Sequence, residues 1–258
     1  MFAPRRSVSP PCVPMPHYRL IPTEARCGPM NMAADEIMLQ AAADQGTASL
    51  RFYTWSEPTL SLGYFQPAAD RLTDPLTASL AWVRRPSGGG AIVHHHELTY
   101  CLALPAGSLW QGKESWLCRF HHLVASTLQL FGVASRGVVC GEEKKLGEFL
   151  CFLHQTPADL LIGSSKIVGG AQRKLRGALM QHGSIILERS PFAPALPGIR
   201  ELSGERIGAD ELAARLAVAF EKETAWEMRR GEWTDEEKRR IDEVAREKYA
   251  AAGWNERR

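Results

Sequence analysis

The stretch Arg84-Arg85-Pro86-Ser87-Gly88-Gly89-Gly90-Ala91-Ile92-Val93-His94 decides how this chain is read. Its three glycines follow a strand-like run, Leu80 to Arg84, and lead into the β-branched pair Ile92-Val93. Glycine lets a backbone approach a ligand closely and offers bare amides to a carbonyl or a phosphate. The spacing matches neither a phosphate loop with its Gly-Lys-Ser/Thr ending nor the dinucleotide fingerprint. On the glycines alone, a hairpin turn and a ligand loop both stay open. The adjacent His94-His95-His96 does not read as a metal centre. On a strand, neighbouring residues face opposite ways, so at most His94 and His96 share a metal, and no Cys or carboxylate cluster nearby completes a set.

Outward from this stretch the chain alternates strands and helices. Upstream, Asn31 to Ala43 puts Met32, Ile37, Met38 and Ala41 near one helical face, with Asp35 and Glu36 early enough to oppose the positive end of the dipole. Leu50 to Trp55 and Thr59 to Phe65, split by Glu57-Pro58, read as neighbouring strands. Downstream come a strand at Leu98 to Leu104 and an amphipathic helix at Trp116 to Phe131. A charged surface loop follows over 132–148, then strands at Ala158 to Ile162, Lys166 to Arg173 and Ala178 to Leu187. Within the last group, Gly163-Ser164-Ser165 reads as a hairpin turn that puts Lys166 at the start of the return strand. Gly169-Gly170 inside that strand leaves room where side chains would block something. A lysine flanked by Ile167 and Val168 ordinarily points to solvent.

The C-terminal part reads as a proline-rich linker, Ser190 to Gly198, and two helices, Asp210 to Arg229 and Thr234 to Ala252. The second helix opens on a capping box, Thr234-x-x-Glu237, and carries Glu236–Arg240 and Asp242–Arg246 pairs at four-residue spacing. The expected organisation is a loose leader over 1–16, a catalytic α+β domain over 17–190 and a helical segment over 191–258.

The 258 residues are 45% apolar and 23% charged, which excludes a disordered tail or a fibrous repeat. No stretch approaches the roughly 18 apolar residues of a membrane span. With 31 basic against 29 acidic side chains, a net +2 gives no field that recruits nucleic acid or anionic lipid. The six cysteines include no Cys-x-x-Cys pair, and scattered thiols in a chain this long suit a reducing compartment. Pro10, Pro11, Pro14 and Pro16 stand where a signal peptide needs an apolar helix. The expected location is the cytoplasm, with no membrane or nucleic-acid partner.

Several further stretches fit one pattern: Asn31-Met32-Ala33-x-Asp35-Glu36, Arg51-Phe52-Tyr53-x-Trp55, Pro58-Thr59-Leu60-Ser61-x-Gly63-Tyr64, Glu97-Leu98-Thr99-Tyr100, Lys166-Ile167-x-Gly169-x-Ala171-Gln172-Arg173 and Gln181-His182-Gly183. Together with Arg84 to His94, and in this order, they resemble the lipoate–protein ligase and octanoyltransferase family of the biotin/lipoyl-attachment superfamily. The resemblance spans about residues 30–190. It implies mixed, largely antiparallel sheets packed with helices, and a narrow slot for a medium-length acyl chain. By that resemblance Arg85, Ser87, Gly88, Gly89, Gly90 and His94 line one side of the slot, with Gly169, Gly170, His182 and Gly183 opposite.

The branch within the family turns on Cys151. Family ligases activate a free acid with ATP and use the lysine without a nucleophilic cysteine. One octanoyltransferase branch places a Cys-Phe pair in a loop ahead of the lysine. Here Cys151-Phe152 precedes Lys166 by 15 positions. The resemblance therefore implies Cys151 as nucleophile, with Lys166 favouring the thiolate and bonding the carbonyl oxygen as charge develops. Amides near Gly88–Gly90 or Gly169–Gly170 are candidates for an oxyanion site. Cys140, in the preceding loop, is the alternative nucleophile. The implied donor is octanoyl-acyl carrier protein and the implied acceptor a lysine of lipoyl domains or glycine-cleavage H protein, with no cofactor. An amidotransferase between carrier domains would use the same pair. An ATP- and magnesium-dependent ligase, or a non-catalytic acyl-binding relative, would leave Cys151 incidental.

Overall fold

Alternation along two central strands divides the molecule into layers. In Ser49–Trp55, Leu50 and Phe52 face one way and Arg51 and Tyr53 the other; in Glu97–Leu104, Leu98, Tyr100 and Leu102 oppose Thr99, Cys101 and Ala103. Such a period of two buries both faces of a sheet only when each is covered. The computed structural model describes residues 17–107 and 115–258. The leader expected over 1–16 lies outside the described residues.

The strands, in chain order, are β1 (His17–Arg26), β2 (Ser49–Trp55), β3 (Thr59–Leu62), β4 (Ala81–Arg84), β5 (Ile92–His94), β6 (Glu97–Leu104), β7 (Arg136–Gly137), β8 (Lys144–Lys145), β9 (His154–Gln155), β10 (Leu160–Ile162), β11 (Ser165–Leu175), β12 (Ala178–Ile186) and β13 (Glu227–Arg230). The helices are α1 (Gly28–Gln45), α2 (Pro75–Ala78), α3 (Trp116–Gln129), α4 (Ile199–Ser203), α5 (Ala209–Thr224), α6 (Asp235–Val244) and α7 (Ala252–Asn255). An eight-stranded sheet runs β13-β1-β2-β6-β12-β11-β10-β7, parallel at β13-β1-β2 and antiparallel elsewhere. This is the α+β order that the sequence patterns imply, with the mixed, largely antiparallel sheets that the family resemblance implies.

Helices α3 and α5 cover one face: Phe120, Leu123, Val124, Leu128, Leu212, Leu216 and Phe220 pack on Leu50, Phe52, Tyr100 and Leu102. Helices α1 and α6 cover the other, with Met32, Ile37, Met38 and Ile241 against Tyr53, Trp55, Cys101 and Met180. A three-stranded sheet, β4-β3-β5, stands beside this second face around its own cluster of Leu60, Leu62, Val93 and Phe152.

Several expectations change. β2 and β3 are not neighbours: both edges of β2 are taken by β1 and β6, and the Glu57-Pro58 turn carries β3 into the small sheet. Helix α1 is buried on most sides rather than along one stripe, because α6 and the turns after it cover the side away from the sheet. It also starts at Gly28, so Asp35 and Glu36 lie beyond its first turn, and Asp35 serves inside the core. The helix expected to reach Arg229 stops at Thr224, where Ala225 turns left-handed at φ 54° and the chain re-enters the sheet as β13. The capping box is present, with Thr234 Oγ1 accepting from the Glu237 amide at 3.1 Å and Glu237 Oε2 from the Thr234 amide at 2.9 Å. The Glu236–Arg240 and Asp242–Arg246 pairs are not. Arg239 takes Glu236, Arg240 reaches Gln40 on α1, and Arg246 takes Glu247. The proline-rich segment after β12 buries Ala193 and Leu196 in the small-sheet cluster.

One buried side chain couples α3 to the segment before β10. His121 Nδ1 donates to the Ala158 carbonyl at 2.7 Å, which leaves Nε2 to accept from the Tyr100 hydroxyl at 2.8 Å. Burial pushes His121 down to about 4. An unfolded chain binds that proton near pH 6.5 and the folded chain refuses it until near pH 4, so stability falls as pH drops through this window. We expect about 2 kcal/mol of this loss between pH 7.5 and 5. Urea denaturation at both pH values measures it; His121→Gln lowers overall stability but flattens the pH dependence by that amount, and an unchanged slope counts against it.

Candidate active site

The site begins with two backbone segments that sequence distance separates. The Ala91 amide donates to the Phe149 carbonyl at 2.9 Å and the Cys151 amide to the Ala91 carbonyl at 2.8 Å, so the glycine loop and the cysteine turn are zipped together. Cys151 opens a short helical turn, Cys151–Leu153, and is half-buried. Arg85 lies beneath the loop. Its Nη2 donates to the carbonyls of Gly88 at 2.8 Å and Gly90 at 2.7 Å, and its Nη1 to the Ser61 carbonyl at 3.1 Å. Burial pulls the Arg85 guanidinium below its ordinary value, and the nearby Cys151 acts in the opposite direction without reversing it. Glycine is required where the loop crosses β3. Gly89 has φ +96°, and a Cβ on Gly63 would stand 1.9 Å from the Gly89 carbonyl oxygen. Among the described residues, the amides of Gly88, Gly89 and Gly90 donate to no protein acceptor.

Lys166 reaches the sulfur from the facing hairpin. The register between β10 and β11 shifts, with Leu160 opposite Val168 but Leu161 opposite Lys166. Such a bulge re-aims a side chain, and Lys166 comes to lie over Gly169, whose Cβ would sit 2.5 Å from Lys166 Cε. The ammonium is buried, contrary to the usual habit of a strand lysine. Its Nζ stands 2.8 Å from Asp159 Oδ2, 3.1 Å from the His154 carbonyl and 3.9 Å from Cys151 Sγ. Asp159 is equally buried and is held by the Thr156 amide at 2.7 Å.

Two histidine–carboxylate pairs border the same space. His182 Nδ1 lies 3.0 Å from Asp35 Oδ2, and its Nε2 meets the Ser87 hydroxyl. Asp35 also accepts from Tyr53 at 2.9 Å and Arg51 at 3.1 Å. Burial, then the Asp35 charge, raises the Tyr53 phenol well above its ordinary value, so it stays a donor. His94 stacks on Trp55 at 3.8 Å, with Nδ1 2.7 Å from Glu97 and Nε2 2.7 Å from Ser61 Oγ. Among the described residues, no group of three His, Cys, Asp or Glu side chains is placed to hold a metal.

Between these walls lies a cleft of about 490 Å³, counting its open mouth. Met32, Tyr53, Trp55, Ile92, Phe152 and Ala171 supply its apolar lining. Of the residues singled out in the sequence, Arg85, Gly88, Gly89, His94, Cys151, Gly169, Gly170, His182 and Gly183 face it. Ser87 and Gly90 stand just behind, Ser87 on His182 and Gly90 on the cysteine turn. Lys166 reaches the site from behind Gly169. Cys140 is exposed on the preceding segment and does not line the cleft.

Sequence reasoning missed Asp159. The available signal was a lone acid beside Leu160-Leu161-Ile162, facing a lone lysine beside Ile167-Val168 across a hairpin. It also read Asp35 as opposing a helix dipole; the signal for its buried role was an acid inside a window of small and apolar residues.

Comparison with known proteins shows the family and the fold. The proteins named octanoyltransferase LipM from Brevibacillus brevis and Moorella thermoacetica are 30% and 32% identical to the chain, each over 95% of it and 100% of their own length. A crystal structure of lipoate-protein ligase A bound with ATP superposes with TM-score 0.75 at 21% identity, covering 93% of this chain and 98% of that one. The lipoate protein ligase of a bipartite system from Thermoplasma acidophilum superposes with TM-score 0.70 at 20% identity, covering 94% and 96%. These solved chains share the fold. Residues 28–196 match the lipoyl protein ligase A/B catalytic domain, and the chain belongs to that family.

Proposed function

We propose that the chain is an octanoyltransferase of lipoate biosynthesis that carries the acyl group as a thioester on Cys151. The observation that carries this reading is the Lys166 ammonium 3.9 Å from Cys151 Sγ at the edge of an apolar-lined cleft. The names of the full-length relatives favour octanoyl as the group moved.

A thiolate, not a thiol, is the nucleophile, and a fixed ammonium favours the charged form. The thiolate attacks the donor thioester. The oxygen that becomes negative meets the unused amides of Gly88–Gly90, which need no reorganisation to receive it. The donor thiolate leaves and an octanoyl–Cys151 thioester remains. Exchange between thioesters is nearly isoenergetic, so the step needs neither ATP nor magnesium. The chain lies along Met32, Tyr53, Trp55 and Ile92, where each buried methylene contributes about 0.8 kcal/mol. A lysine amine of the acceptor then attacks the carbonyl and expels the Cys151 thiolate. In this reading the donor is octanoyl-acyl carrier protein and the acceptor a lipoyl domain or glycine-cleavage H protein.

Intact-mass analysis after incubation with octanoyl-acyl carrier protein, without ATP, tests the covalent step. We expect one octanoyl adduct that hydroxylamine removes and that Cys151→Ser abolishes. An adduct persisting in Cys151→Ser, or turnover only with ATP, overturns the assignment.

Removing Lys166 alone strands a buried carboxylate, which costs about 3–5 kcal/mol. Lys166→Met should therefore melt lower, while Lys166→Met/Asp159→Asn regains most of the stability. Both should acylate at least about tenfold more slowly than the parent. A double variant that recovers acylation together with stability removes Lys166 from the chemistry.

A further inference from the structure

The net charge of +2 conceals one concentrated patch on the outer side of the glycine loop. Three guanidinium groups gather on the ring of Tyr64: Arg257 at 4.6 Å from its centroid, Arg258 at 5.7 Å and Arg173 at 5.8 Å. Arg257 and Arg258 are exposed, and Arg173 is half-buried. Among the described residues, none of the three is paired with a carboxylate. Glu36, which faces the same C-terminal turn, is taken by Lys248 at 2.6 Å and by the Tyr249 hydroxyl. Arg84 registers the crowding: burial lowers its guanidinium, and the charges of Arg257 and Arg258 lower it further. Stacking on an aromatic face offsets part of the repulsion between like charges, and no anion of the protein offsets the rest.

The patch is fastened to the loop that borders Cys151. The Tyr64 amide donates to the Ser87 carbonyl at 2.8 Å, and Arg173 Nη1 to the Pro86 carbonyl at 2.7 Å. The Ala68 amide donates to the Arg258 carbonyl at 2.8 Å, which ties the last residues to the segment after Tyr64. Phe65, next in that segment, is 68% exposed, and a Cβ on Gly88 would stand 3.9 Å from its ring. One residue further on, a Cβ at Gly89 would stand 3.6 Å from Cys151 Sγ. Neighbouring Cα atoms are about 3.8 Å apart, so the Phe65 ring lies within about 15 Å of the sulfur. An apolar ring and a set of unpaired cations thus stand beside the cleft where Gly88 and Gly89 line it.

We propose, resting on the thioester reading above, that this patch is the docking site of the donor and grips the anionic arm that carries the acyl thioester. The two carriers which that reading requires differ in what they bring to the cleft. The acceptor brings a lysine, whose ammonium form three nearby cations repel. The acyl carrier protein brings its thioester on an arm joined to it through a phosphodiester, and a guanidinium binds phosphate oxygens through paired N–H groups. Phe65 offers the same arm an apolar surface on its way to the sulfur. The attraction acts before contact and is screened by salt, so it speeds encounter as well as holding the complex.

Loading of Cys151 from octanoyl-acyl carrier protein, followed by mass over a range of donor concentrations, compares the parent with Arg257→Glu/Arg258→Glu. Both side chains are exposed and neither lines the cleft, so the variant keeps the fold and the chemistry. We expect the donor concentration for half-maximal loading to rise at least about tenfold, the maximal rate to stay within about twofold, and the dependence on added salt to flatten. Arg257→Lys/Arg258→Lys, which preserves the charge, should stay within about threefold of the parent. Once loaded, the charge-reversed variant should pass octanoyl to the protein acceptor at the parental rate. An unchanged half-maximal concentration, a loss of maximal rate alone, or an equal weakening toward the acceptor overturns the docking site. If the parent forms no adduct at Cys151, the thioester reading fails instead. Fluorescence anisotropy of labelled octanoyl-acyl carrier protein then still compares parent and variant, and equal binding to both overturns the docking site on its own.

Discussion

A buried ammonium must be compensated on the spot, and in this protein the Lys166–Asp159 pair organises the whole hairpin side of the site. Two charges this far from water cost several kcal/mol each unless geometry and further hydrogen bonds offset it. The 2.8 Å contact supplies the first term, and the Thr156 amide and hydroxyl on Asp159 supply part of the second. Everything nearby answers to this pair. The bulge between β10 and β11 aims Lys166 at the sulfur, Gly169 leaves space for its stem, and Ala158 accepts a left-handed φ of 77° so that its carbonyl reaches His121.

The loop side is built by different means. No side chain of the glycine loop could hold it, so Arg85 does so from below through backbone carbonyls, and the Ala91–Cys151 exchange fixes the cysteine turn to it. Arg84 performs the complementary task on the outer side. Its guanidinium holds the carbonyls of Gly63, Gln66 and Asn255, which ties the loop to the C-terminal turn at α7. Adjacent arginines thus serve opposite sides of one strand, as the period of two requires. Arg85 faces the cleft, yet its hydrogen bonds go to protein carbonyls and the Ser61 hydroxyl, which makes it a scaffold for whatever the loop binds.

Strands and helices were legible where the pattern was local: β6, β11, β12, α3 and the Thr234 capping box follow from alternation, helical spacing and cap chemistry. Which strands become neighbours was not local. The partners of β2 come from a chain segment some thirty residues earlier and another forty-odd residues later, and no turn between β2 and β3 announces this. The same distinction holds at the site. The glycine loop and the glycine pair after Lys166 stood out by residue type, whereas Cys151 and the role of Lys166 came from the resemblance to the family pattern. Asp159 and Asp35 did not, because an isolated acid in a window of small or apolar residues shows its meaning only when its cation is found across the fold.

The two carboxylates illustrate how one residue type is given opposite work. Asp159 faces an ammonium, and its charge is satisfied by holding that cation beside the sulfur. Asp35 already has Arg51 for its charge, and its contact with His182 Nδ1 fixes the orientation of the imidazole. The two cations sit on different strands, Lys166 on β11 and Arg51 on β2, so each has its own carboxylate. Placing one acid beside the hairpin and the other on α1 keeps a cation near Cys151 Sγ and holds an imidazole at the glycine loop.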